Sequence, residues 1–325
     1  MLSILLAAAV SLTTAEEAVA LLAADGPRPS KEVLEAATAL IDAAAKQEPA
    51  NTRWRFGRAI ALMYSGNQSE AKALFEAVAA AEPARSEYQY WYGASVFETI
   101  DEVGMLGKMS AASKGKAALE KAIALDPGNV RARQALFRFY LEAPGIAGGS
   151  VERAREQAQA TAALPAGAFR GRMMLGEVAA KEEDWAAMSK AYVAAETAGG
   201  TGASPTSAMT AHAFQLIRAK KDPAAALPVI ERLAKVEKPG EYTSDFLRGE
   251  ARSALGDCAG AVESYARVLE KQPDARNTRY SMAACLEKLG RKGEAATHYD
   301  EFARRFPKDD RAGKARDQAA KLRKG

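Results

Sequence analysis

Histidine and cysteine are almost missing from this chain, with two of each in 325 residues. His212 and His298 stand far apart, and neither sits in an H-E-x-x-H or carboxylate-flanked pattern. Zinc-protease and His-based general-base chemistry therefore have no sequence support, and a packed or outward-facing ring is the better reading of each. Cys258 and Cys285 form no C-x-x-C, which removes the common zinc and redox motifs. A serine-hydrolase elbow is also lacking, because Gly93-Ala94-Ser95 runs on into Val96-Phe97 inside a helical pattern. Gly104 to Lys108 has the wrong spacing for a phosphate loop, and Met109 stands where a magnesium-binding Ser or Thr is needed. Acid clusters such as Glu182-Glu183-Asp184 fall at turns and helix starts, where they serve as caps. Catalytic residues, metal ligands and cofactor motifs are thus all unassigned, and the expectation is a protein that is not an enzyme.

Charge and hydropathy exclude further classes. Formal charge is only +4, with 26% charged residues of both signs, so no large field favours nucleic acid. The basic excess from Arg304 to Lys324 reads as the solvated face of a final helix. No long alternation of β-branched and aromatic residues suggests a sheet. The apolar run within Met1 to Ala15 is too short to span a bilayer. Residues 1–20 read instead as a secretory signal peptide lacking a basic n-region, with Thr13-Thr14-Ala15 or Ala18-Val19-Ala20 as cleavage sites. The alternative is the apolar face of a first helix. Export to the periplasm or beyond is the localisation this implies; without cleavage it would be cytoplasmic.

What the chain does have is alanine and a period. Alanine is the best helix former, and it lets helices pack closely. Gly256, Ala261, Tyr265 and Pro273 recur 34 residues later as Gly290, Ala295, Tyr299 and Pro307. Near the start, Ala37, Ile41 and Pro49 recur as Ala71, Phe75 and Pro83. A fixed period of this length marks a helix–turn–helix array, in which each unit buries its apolar face against the next. Small residues at Gly93, Gly176, Gly249, Ala71, Ala261 and Ala295 let helix axes approach, and Phe75, Tyr192, Tyr265 and Tyr299 fill the adjoining grooves.

These segments resemble tetratricopeptide repeats. The match is specific at 52–85, 242–275 and 276–309, and permissive between them. The resemblance implies an all-α, right-handed α-solenoid. Its expected layout is leading helices at 21–51, units one to four at 52–198, a flexible seam at 199–206, units five to seven at 207–309, and a capping helix with a basic tail at 310–325. Two insertions stretch the middle, at 101–114 and 142–150, and both interrupt the turn between a unit's two helices. They should be neighbours on one rim. The first would extend helix A or form an amphipathic turn, and the second would be a Pro-Gly loop whose amides form an anion nest.

The resemblance also implies the mode of action, which is binding of a protein or peptide along the concave face lined by the first helix of each unit. Transferring that register selects Phe56, Ile60, Tyr64, Tyr90, Phe97, Arg131, Gln134, Arg138, Arg170, Met173 and Glu177. The Lys/Asn set that clamps two carboxylates in chaperone-binding members is missing, although the three arginines suit an acidic segment. The leading expectation is a non-catalytic interaction scaffold of the bacterial cell envelope. The alternative is a receptor-like array holding a small ligand, lipid or peptide under the rim insertions. Cys258 opens the second helix of unit six, and Cys285 lies in the second half of the next helix, so their sulfurs should be adjacent. In an exported chain a disulfide is then expected.

Overall fold

A computed structural model describes residues 12–324, and nothing but helices, turns and loops occurs among them. The apolar run of residues 1–11, the core of the expected signal peptide, lies outside the described residues. The helices are α1 (Ala15–Ala23), α2 (Lys31–Gln47), α3 (Thr52–Tyr64), α4 (Gln68–Ala81), α5 (Ser86–Glu98), α6 (Met105–Leu125), α7 (Val130–Glu142), α8 (Val151–Ala162) and α9 (Ala168–Lys181). Then follow α10 (Trp185–Glu196), α11 (Pro205–Arg218), α12 (Pro223–Val236), α13 (Thr243–Ala254), α14 (Cys258–Lys271), α15 (Arg276–Lys288), α16 (Lys292–Arg305) and α17 (Ala312–Lys324). The expected units correspond to successive pairs from α3/α4 to α15/α16, with α17 as the cap. The protein is an all-α helical-repeat solenoid.

Two compact units divide the chain. The first comprises residues 1–174 and 199–202, and the second 175–198 and 203–325. The seam expected at 199–206 therefore starts with residues held by the first unit. There the Phe169 amide donates to the Gly199 carbonyl at 3.0 Å, and the Thr201 amide to the Ala166 carbonyl at 2.9 Å.

In the first unit α1 is a packed element. Thr14 and Glu17 close a capping box at its start, and Ala18, Val19 and Leu22 are buried. Val19 and Ile41 lie against Gly57 of α3, where a methyl group would sit 2.5 Å from Val19 Cγ2. With α1, α2 and α4 all packed on it, α3 keeps few outward positions. Farther along, α5 and α6 cross at Gly93 and Gly115, and Gly115 in turn abuts the Phe97 ring.

The insertion at 101–114 forms a short 3-10 turn (Ile100–Glu102) and then lengthens the second helix of its unit, giving a 21-residue α6. This corrects the expectation that it would extend helix A. Gly104 is the break that allows the new start, since its extended backbone provides the N-cap.

In the second unit the small-residue positions behave as the repeat requires. A methyl on Gly249 would sit 2.4 Å from the Tyr265 ring, which is fully buried. Tyr265 also donates to Glu250 at 2.8 Å.

Candidate functional site

A cavity of about 1010 Å³ in the first unit opens between the two insertions and the first helices of units two to four. The insertions meet there: Asp101, Lys108 and Met109 from one, and Pro144, Ile146 and Ala147 from the other, line the same space. Its apolar wall rests on Phe97 and Phe139, whose rings stack at 5.2 Å. Met109 and Ile146 stand at the lip, with Ile146 88% exposed.

In the 142–150 loop the later amides are committed to its own carbonyls and to α7, which withdraws them from the expected anion nest: Ala147 and Gly149 donate to Pro144 O, Gly148 to Gly145 O, and Ser150 to Tyr140 O. Gly148 takes a positive φ of 98° to make this closure. At Gly149 a methyl would fall 1.7 Å from the Ala143 carbonyl oxygen, so the loop folds back on itself too tightly for any side chain there.

Polar groups gather at the opposite end. The Arg131 guanidinium lies 4.6 Å from the Tyr90 and the Trp91 ring centroids, and its Nε donates to the Tyr90 hydroxyl at 3.2 Å. Burial raises the Tyr90 phenol above its ordinary value, against the pull of the neighbouring Arg131 charge. Arg170 donates to Gln134 and pairs with Asp25 at 2.6 Å. On the insertion side, Lys108 pairs with Asp101, and Arg138 pairs with Glu142 at 3.3 Å.

Of the residues selected from sequence, Tyr90, Phe97, Arg131, Gln134, Arg138 and Arg170 line this cavity. Phe56 and Ile60 do not, and this is a correction: both are fully buried. Phe56 is enclosed by Phe75, Tyr88 and Trp91, with ring centroids 6.0, 4.7 and 6.2 Å away. Tyr64 is half-buried and borders a separate groove with Arg28, Pro29 and Leu34. Met173 is half-buried outside the cavity, and Glu177 belongs to the second unit. Sequence reasoning missed Asp25, Phe139, Met109 and Ile146. Only the unusual exposure of apolar residues within the insertions could have pointed to the last two.

In the second unit Cys258 and Cys285 do share one apolar cluster. Both thiols are free and buried in this structure. Cys285 Sγ donates to Ser253 Oγ at 3.3 Å, and burial chiefly pushes its thiol up to about 11. A thiol kept protonated in this way resists exchange chemistry. His212 is buried, stacked on Tyr192 at 5.6 Å and 3.0 Å from Ser189 Oγ, which makes it a core residue. Among the described residues no group of His, Cys, Asp and Glu could hold a metal ion. No helix described is long and apolar enough to cross a membrane.

Comparison with known proteins agrees with the geometry. A family profile described as tetratricopeptide repeat matches residues 56–99 and 246–310. No curated protein matches in sequence. Among solved structures, a tetratricopeptide repeat protein from Parabacteroides merdae is similar at TM-score 0.54 and 12% identity, covering 84% of this chain and 99% of its own. Yeast Tom70 is similar at TM-score 0.64 and 12% identity over 91% of this chain, which spans 61% of Tom70. At such identities the likeness concerns the fold. The repeat profile and these two folds agree with the helix pairs of the described residues: the chain carries tetratricopeptide repeats at 56–99 and 246–310 within an all-α helical-repeat fold.

Proposed function

We propose that this protein is a non-catalytic interaction scaffold that receives a segment of a partner protein in the cavity of its first unit. The observation that carries the reading is the cavity itself, with an apolar wall at Phe97 and Phe139 and preset arginines at its far end. An apolar surface with a few fixed polar groups is the usual make-up of a recognition site. Helical-repeat arrays act through such surfaces. We place the protein in the bacterial cell envelope, on the strength of the apolar N-terminal run.

The test is crosslinking and pull-down from the native compartment, comparing wild type with the Arg131→Glu/Arg138→Glu double variant. Loss of a captured protein by a folded double variant is the expected result. Retention of every partner would overturn the placement of the binding face.

A second reading, a small apolar ligand under the rim, has one observation in its favour, which is a volume suited to such molecules. Native mass spectrometry of the purified protein separates the two, because a retained small mass supports the ligand.

A further inference from the structure

The arginine end of the cavity is already occupied by a piece of the chain. Leaving α1, the backbone turns extended at Ala24, with φ −61° and ψ 153°. Arg131 Nη1 donates to the Ala23 carbonyl at 2.6 Å, and Arg170 Nη2 donates to Asp25 Oδ2 at 2.6 Å. These partners lie 108 and 145 residues away in sequence. Both guanidinium groups are held independently of the segment, Arg131 by the Tyr90 and Trp91 rings and Arg170 by Gln134. Together they read a main-chain carbonyl and, two residues on, a carboxylate.

We propose that this pair forms a subsite for an extended acidic segment of the partner, and that Ala23–Asp25 is a built-in occupant that the partner displaces. The proposal rests on the cavity being the partner site.

Three features support displacement. The Asp25–Arg170 pair is open to water, with side chains 32% and 21% exposed, and such pairs hold weakly. Residues 24–28 are exposed, and Gly26 has no atom within 4 Å of where its Cβ would lie, so the segment can lift without breaking a core. Among the described ion pairs Arg131 meets no carboxylate, which leaves one guanidinium for a second incoming charge. An occupied site lowers apparent affinity by the fraction of time it is filled, so the segment sets a threshold for binding.

The probe is an acetylated, fluorescein-labelled peptide copying residues 23–27, whose one charged side chain is Asp25, together with the same peptide carrying Ala in place of Asp25. Binding is read by fluorescence anisotropy at low ionic strength, on the full chain. Asp25→Ala should bind the acidic peptide about fivefold or more tighter than wild type, and Arg170→Gln in the Asp25→Ala background should abolish the gain. Asp25→Asn serves if the alanine variant melts early by circular dichroism. Equal affinity of wild type and Asp25 variants, or no preference for the acidic peptide, overturns the internal occupant. No binding by any variant overturns the acidic subsite. Partner capture lost in Arg131→Glu/Arg138→Glu would still support the cavity in that case, so the two failures are distinguishable.

Discussion

Gly93 and Gly115 face each other where α5 crosses α6, so closely that a Cβ on Gly93 would sit 2.9 Å from the Gly115 carbonyl oxygen. A backbone atom cannot swing aside as a side-chain tip can. Gly93→Ala should therefore cost about 1–3 kcal/mol by overpacking, measured by urea denaturation. Gly26→Ala, with nothing within 4 Å, is the control and should change little.

The cysteines give a second expectation. Denaturing, non-reducing titration should find two free thiols. In the native protein Cys285 should react very slowly at pH 8, since burial holds it protonated. Finding no titratable thiol would mean that the pair is oxidised where the protein works.

Stability should fall with acid in a specific window. Burial chiefly lowers His212 and His298 below their ordinary value, so both are neutral in the folded chain near neutrality. As pH drops through about 6.5, the unfolded chain takes up these protons first and gains on the folded one. The loss starts there and continues down to the folded-state values, with a limiting slope of about 1.4 kcal/mol per pH unit for each histidine. Melting from pH 8 to 5 should show the decline, and His212→Gln should make it shallower. A variant that declines as steeply as wild type would exclude His212 from the effect.

If the chain is exported, the mature N-terminus should follow Ala15 or lie upstream of it. Removing residues through Ala20 would delete Ala18 and Val19, both fully buried against α2 and α3. Edman sequencing or intact mass of the exported protein decides this, and a start at Leu21 would contradict it.

Much of the architecture is legible because small-to-large spacing is a local property. Gly249 and Tyr265 are 16 positions apart, and their contact follows from the pattern alone. The same holds for Gly93 against Leu119. The exposed face of α3 was not legible. Its register was carried over from arrays whose first helix is open, whereas here residues 15–23 fold onto α3, and Phe56 meets α5 aromatics instead of a partner. The self-closure of 142–150 was hidden for a different reason. Whether a Gly-rich loop offers its amides outward or spends them inward depends on its backbone dihedrals, such as the positive φ at Gly148, which composition does not encode. Asp25 escaped notice because its arginine is 145 residues away.

That inward-spent loop separates two jobs that loops usually combine. The glycines and backbone carbonyls hold its shape, while Ile146 touches little and faces the cavity mouth. Residue 146 can therefore change in size or polarity without disturbing the repeat that carries it. Under the proposed reading of the cavity, this one side chain would tune which partner segment fits while the scaffold stays the same.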